Sequence, residues 1–295
     1  MDVEVHIVNA FIDGGVGGNP AGVVLNAGGL TYSDKLNIAQ QLGLSETAFL
    51  SPSDVASIKL EFFTPTRQIA HCGHATVATF YLLRQLGILL DGRHTKETID
   101  GIRDVLVDGE IVSMVQQAPR YKAIAIGSRT GQHITASLGL DPTESPILAD
   151  PYVVDTANAF LLVQVNNKQT LATLCPSLPL VEGISDKLDV IGFYAFALED
   201  KKSDRHASAR MFAPRFGIAE ESATGTAAGP LGCYLHDYLK VSDLQLRIQQ
   251  GHLMKPPSPS LIQVNLNLLN NQITTLTVGG TARINNTTQL KIVDQ

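Results

Sequence analysis

The chain of 295 residues carries 22 Lys and Arg against 28 Asp and Glu, a formal net charge of −6, with 44% hydrophobic and 17% charged residues. This length suits two domains with real cores, and the acid excess leaves no basic stripe to neutralise phosphates, which argues against nucleic acid as a partner. No run approaches the ~18 apolar residues of a membrane span. The opening Met1-Asp2-Val3-Glu4-Val5-His6 lacks the basic start of a secretory signal, so a cytoplasmic protein is expected.

Residues 3–11 alternate as an opening strand, a glycine-rich loop covers 13–20, and 21–25 form a second strand. No Lys-Ser/Thr pair follows the glycines and no helix opens there, so the loop reads as a flexible or close-approach turn rather than a phosphate cradle. Thr31 or Ser33 caps a helix that runs to about Leu42 and stops at Gly43. Residues 44–50 then read as a strand. Period-2 geometry puts Leu44, Glu46, Ala48 and Leu50 on one face, which places a carboxylate among apolar neighbours. The alternative is that Ser45, Thr47 and Phe49 point inward and Glu46 meets solvent. A buried Glu46 would have its pKa raised by desolvation toward the range of a general base or acid.

Residues 58–63 form the next strand. A helix over about 74–86 follows, apolar nearly all round and therefore expected inside a domain. Short β-rich segments continue to about 117, with turns at Asp91-Gly92, Asp100-Gly101 and Asp108-Gly109. A strand and a short helix around 132–138 follow, then a polar connection over 142–151 and strands over 152–165 and 190–198. The stretch 222–235 has the same buried-helix character as the first, and short strands over 244–249, 261–266, 273–278 and 281–284 close the chain.

Phe63-Thr64-Pro65 is echoed by Phe212-Ala213-Pro214, and Ile69-Ala70-His71 by Ile218-Ala219-Glu220. Both echoes share one spacing of 149 residues (212 − 63 and 218 − 69), and the glycines Gly73 and Gly225 follow with three residues inserted in the second copy. Two similar lobes are expected, one over 1–117, rejoined by a last strand at about 277–295, and one over 118–276. If the lobes face each other, two helix N-termini converge on one cleft.

A buried helix cannot leave its first N–H groups bare, so side chains or an anion should meet them. His71, Cys72 and His74 invite a zinc reading, but Cys175 and Cys233 stand alone, widely spaced and in apolar surroundings, so neither a metal centre nor a disulfide framework is expected. The helix dipole should keep His74 neutral, able to donate to a substrate oxygen or shuttle a proton; otherwise it merely caps. Glu221 precedes the second helix, either as a capping group or as a second acid/base. Thr224-Gly225-x-x-x-Gly229 lacks the βαβ context of a dinucleotide fold.

Gly18-Asn19-Pro20-Ala21, Leu44-Ser45-Glu46-Thr47-Ala48-Phe49, Phe63-Thr64-Pro65, Cys72-Gly73-His74-Ala75 and residues 221–230 together resemble the phenazine-biosynthesis isomerase (PhzF-like) family, in order and over essentially the whole chain. The resemblance implies an α+β fold like that of diaminopimelate epimerase, with two lobes, each a curved sheet or barrel around a central helix. It also implies an active site between the lobes and a homodimer without metal or organic cofactor. Glu46 matches the family's proton-shuttling glutamate and His74 its active-site histidine. Glu221 stands where the isomerase has an aspartate and Thr226 where it has a serine. The extra methylene of Glu221 moves its carboxylate by more than about 1 Å. Cys72 matches the first of two facing cysteines in the related epimerases, whereas the second falls on Thr224, whose hydroxyl is too weak an acid.

The expected function is a cofactor-independent isomerase of a small carboxylate-bearing metabolite. Glu46, His74 and Glu221 would carry the chemistry, and Asn19, Gly73, Gly225 and Thr226 would bind substrate. The rivals are an amino-acid racemase or epimerase and a non-catalytic metabolite- or partner-binding protein.

Overall fold

The computed structural model describes residues 1–141 and 147–292, so part of the expected polar connection over 142–151 lies outside the described residues. The chain folds into two compact units, one of Met1–Val115 with Gly279–Gln295 and one of Gln116–Val278.

The first unit begins with β1 (Asp2–Ala10) and β2 (Asn19–Val24). They are antiparallel and joined through the glycine loop. Gly14, Gly15, Gly17 and Gly18 all have positive φ, and a Cβ on Gly18 would stand 2.7 Å from the Ala10 carbonyl oxygen, so this is a close-approach turn. Helix α1 (Tyr32–Leu42) starts at Thr31 in a reciprocal capping box with Asp34 and ends at Gly43 with φ 62°. It crosses over to β3 (Glu46–Ser51), which lies parallel to β2 with Ala21 opposite Glu46. Strand β4 (Ile58–Phe63) returns antiparallel, and the short β5 (Gln68–Ile69) pairs with its end.

Helix α2 (Gly73–Gln85) packs on β1, β2 and β3, burying Ala75, Val77, Ala78, Phe80, Leu82 and Leu83. Each large apolar side chain so buried stabilises the fold by about 1.5–3 kcal/mol. Thr76 and Thr79 sit in this dry interior because each hydroxyl donates to the carbonyl four residues back, at 2.6 and 2.7 Å. Strand β6 (Gly92–Thr98) then runs parallel to β4, and β7 (Gly101–Asp108) and β8 (Ile111–Gln117) follow as antiparallel neighbours.

The second unit repeats this plan. Strand β9 (Arg120–Ala123) precedes α3 (Arg129–Ser137) and pairs with β10 (Tyr152–Asp155). The expected single strand over 152–165 is broken at Ala157, whose φ of 91° makes a turn into β11 (Ala159–Gln164). Strand β12 (Phe193–Leu198) is parallel to β11, which requires a crossover; α4 (Lys168–Thr173) and α5 (Leu178–Leu188) supply it. Strands β13 (Ala207–Ala213) and β14 (Ile218–Glu221) lead into α6 (Gly225–Asp237), after which β15 (Gln245–Gln250) returns parallel to β13. Strand β16 (Ser260–Leu269) lies antiparallel to β15, and β17 (Gln272–Gly280) ends the unit. Strand β18 (Ala282–Lys291) then pairs with β1.

From β1 to β7 and from β10 to β16 the pairings run in one order: antiparallel, parallel, antiparallel, antiparallel, parallel, antiparallel. In each unit a 13-residue buried helix follows the short fifth element of that series. The fold is α+β. The Phe-x-Pro echo marks the C-terminal ends of β4 and β13, whereas the Ile-Ala echo falls at the last residue of β5 and the first of β14.

Candidate active site

The opening of α2 gathers three ionisable side chains. Cys72 takes the N-cap position in extended geometry without a side-chain capping hydrogen bond, and His74 is the second helical residue. Glu46, the first residue of the neighbouring β3, reaches the same point. Its Oε2 lies 3.3 Å from His74 Nε2, and Cys72 Sγ lies 3.5 Å from His74 Nδ1. Glu46, His74 and Cys72 are 5%, 3% and 6% exposed, so the cluster is shielded from bulk water. Burial pushes the Cys72 thiol up; the nearby His74 opposes this and the Glu46 charge adds to it. A thiol held protonated in this way is a poor base at neutral pH.

The alternation of β3 posed a choice between two inward faces. Glu46, Thr47, Ala48 and Phe49 are all buried, because both faces of this strand are covered. His71 does not join His74 and Cys72. Its Nδ1 instead faces the amine of Lys96 at 3.1 Å, and Lys96 Nζ also donates to Thr76 Oγ1 at 2.5 Å. Lys96 is fully buried and lies over the Phe62 ring at 5.1 Å. Desolvation lowers its pKa to about 7, against the pull of Cys72. The Lys96 charge, then burial, holds His71 well below its ordinary value, so that ring is neutral. Lys96 was not visible as a site residue in the sequence; its only mark is a lysine at an inward position of an alternating strand.

Among the described residues, the group able to hold a metal ion is Glu46, Cys72 and His74, whose ligand atoms all lie within 4.8 Å of one another. The sequence offered His71, Cys72 and His74 for that reading, and the structure replaces His71 with Glu46.

Asn19, at the start of β2, is buried in the first unit, two residues before the Ala21 that faces Glu46. Gly73 is the first residue of α2. The remaining candidates belong to the second unit. Glu221 ends β14 at 9% exposure and accepts a short hydrogen bond from Thr224 Oγ1. Gly225 opens α6, and its carbonyl accepts from Gln116 Nε2 at 3.1 Å; Thr226 beside it is half-buried.

Two residues of this second group were missed. Gln250 Nε2 donates to the Glu221 carbonyl at 2.7 Å and to Thr224 Oγ1 at 3.1 Å. Its Oε1 accepts from the Thr224 amide at 3.1 Å and from Tyr194 OH at 2.9 Å. Burial, and then the charge of Glu221, pushes the Tyr194 phenol far above its ordinary value, so it acts as a fixed donor. Cys233 is buried and free, whereas Cys175 is exposed rather than set in apolar surroundings, because it follows the end of the short α4.

A family model described as phenazine biosynthesis-like protein matches residues 8–287. The chain belongs to this family. It is 31% identical over 292 residues to the uncharacterized isomerase YddE of Escherichia coli K12, covering 96% of this chain and 97% of that one. It is 27% identical over 288 residues to trans-2,3-dihydro-3-hydroxyanthranilate isomerase of Pseudomonas chlororaphis, covering 93% and 94%. The crystal structure of a Bacillus anthracis PhzF-family phenazine biosynthesis protein superposes with a TM-score of 0.89 at 27% identity, over 99% of this chain and 100% of that one. A probable proline racemase from Agrobacterium radiobacter shares the fold alone, with a TM-score of 0.62 at 13% identity over 99% of this chain and 93% of that one. The chain is an isomerase of this family. No helix of the described residues is long and apolar enough to cross a membrane.

Proposed function

We propose that the protein is a cofactor-independent isomerase that moves a proton on a small carboxylate-bearing metabolite, with Glu46 as the proton carrier. The observation that carries this reading is the buried Glu46–His74 pair, 3.3 Å apart at the first turn of α2. In the reaction, the Glu46 carboxylate takes a proton from carbon and returns it to another carbon on the same face of the substrate. The amides of the α2 N-terminus, from Gly73 onward, stabilise the negative charge that develops between the two transfers. His74 orients the Glu46 carboxylate and relays its proton. Asn19 is assigned to substrate binding, as are Gly225 and Thr226 at the start of α6.

Glu221 is assigned an acid/base role at that second helix start, held by Thr224. Thr224 has its hydroxyl proton committed to Glu221, and Cys72 is kept as a thiol by burial. Both features count against racemisation by two facing bases. The named substrate of the Pseudomonas chlororaphis relative is itself a carboxylate, which supports the substrate class. A cytoplasmic homodimer is the proposed working form, and light scattering at micromolar concentration measures its mass.

The test is a panel of unsaturated and cyclic carboxylates incubated with the protein in deuterated water. The expected outcome is relocation of a double bond with deuterium incorporation, lost in Glu46→Gln while ligand affinity persists. Inversion at an α-carbon would replace this reading with a racemase. Binding without turnover in the unsubstituted protein would replace it with a metabolite-binding one.

A further inference from the structure

The three unlike donors at the head of α2 include a buried thiol, Cys72, to which the proposed proton transfer gives no part. Around a tetrahedral ion with metal–sulfur bonds of about 2.3 Å and metal–nitrogen or –oxygen bonds of about 2.0 Å, ligand atoms stand roughly 3–4 Å apart. Glu46 Oε2 and His74 Nε2 are separated by 3.3 Å, and Cys72 Sγ and His74 Nε2 by 4.0 Å. Two of the donors sit two residues apart at one helix start and the third on an adjoining strand, so the backbone brings all three ligand atoms within 4.8 Å of one another. Cys72 Sγ, now 3.5 Å from His74 Nδ1, has to swing toward Nε2 to complete the set. One thiolate, one imidazole and one carboxylate suit zinc or cobalt and not the all-oxygen preference of magnesium or calcium. Three protein ligands leave a fourth position open.

We propose that Glu46, Cys72 and His74 form a capture site for a soft divalent transition metal, zinc above all, and that the bound ion inhibits the enzyme. Binding exchanges the Cys72 S–H bond for a sulfur–metal bond and releases one proton to solvent, with no change of oxidation state. The inhibition rests on the proton-carrying roles proposed for Glu46 and His74; the capture itself does not, and it is measured without turnover.

The experiment titrates Co²⁺ into the reduced, chelator-treated full-length protein and follows absorption. One equivalent should produce a thiolate-to-cobalt charge-transfer band in the near ultraviolet and the visible bands of a tetrahedral ion. Equimolar Zn²⁺ should bleach both, since zinc stands above cobalt in affinity. Cys72→Ser should abolish the charge-transfer band, His74→Ala and Glu46→Gln should each weaken Co²⁺ binding at least tenfold, and Cys175→Ser should change nothing. The absence of tetrahedral bands in the unsubstituted protein at millimolar Co²⁺ would overturn the proposal. So would a charge-transfer band that survives Cys72→Ser or vanishes with Cys175→Ser. Each of those results leaves the isomerase reading standing, and loss of the isomerase reading leaves the cobalt spectrum as evidence of capture.

Discussion

The two central helices share length, burial and an N-cap without a side-chain hydrogen bond, yet their first turns are built from opposite materials. At α6 the chain ties Glu221, Thr224, Gln250 and Tyr194 into one network, with the amide of Gln250 at its centre. At α2 the first turn is surrounded by Glu46, Cys72 and His74, with His71 and Lys96 behind. A neutral amide hub fixes geometry and titrates nowhere in the working pH range. A cluster of carboxylate, thiol, imidazole and amine is made of groups that can each change protonation state. A duplicated scaffold has thus placed a helix start tied by an amide hub in one unit and a helix start ringed by ionisable side chains in the other.

The largest expected effect tests where the chemistry lies. Glu46→Gln should lower turnover by about 10²–10⁴-fold, the usual contribution of a positioned proton carrier, with little change in the unfolding midpoint. The same exchange at Glu221, whose carboxylate accepts from the Thr224 hydroxyl, should cost about tenfold to a hundredfold. Equal losses at both positions would remove the functional difference between the two helix starts.

Next in size is the structural half of the comparison. Gln250→Leu leaves the Thr224 amide, the Tyr194 hydroxyl and the Glu221 carbonyl without their buried partner. Each such orphan costs about 1–3 kcal/mol, with partial relaxation, so urea unfolding should show a net loss of about 2–4 kcal/mol. Thr76→Val, which deletes the hydroxyl between Lys96 and the Cys72 carbonyl, should cost about 1 kcal/mol, because the Thr76 amide still meets that carbonyl. A Gln250→Leu protein as stable as Thr76→Val would mean that the amide hub does not fix α6.

These contrasts also separate what the sequence carries from what it does not. The capping box at Thr31, the Gly43 stop and the glycine turn before β2 are written in neighbouring residues, and the chain follows them. Glu46 and His74 were recognisable from the family's motifs, but alternation could not decide the burial of Glu46, since β3 is covered on both faces. The crossover helices α4 and α5 went unread, although Asn167 and Ser177 stand at their N-caps and a proline opens α5. Gln250 and Tyr194 are 56 residues apart, and Lys96 lies 20 residues from Thr76. Such pairings arise only when strands are placed side by side, so no local pattern announces them.

Lys96 gives the most specific effect, and one that fades as pH rises. Its pKa is about 7 in the folded chain against an ordinary 10.5, because burial disfavours the charged amine. Between those values the unfolded chain holds a proton that the folded chain has released, so stability rises with pH across that window. Below pH 7 both states are protonated and the penalty of burying the cation is fully present. Lys96→Met fills a similar volume without charge and should therefore stabilise the protein by about 1–3 kcal/mol at pH 6. That gain should shrink as pH climbs toward 10. The thermal midpoint across pH 6–10 measures this, and the His71 ring, relieved of the neighbouring charge, should titrate closer to its ordinary value by NMR. A pH-independent loss of stability in Lys96→Met would instead mean that Lys96 is held by its contacts with Thr76 and His71 at no electrostatic cost, and that the helix start it underlies is as firmly locked as its counterpart at α6.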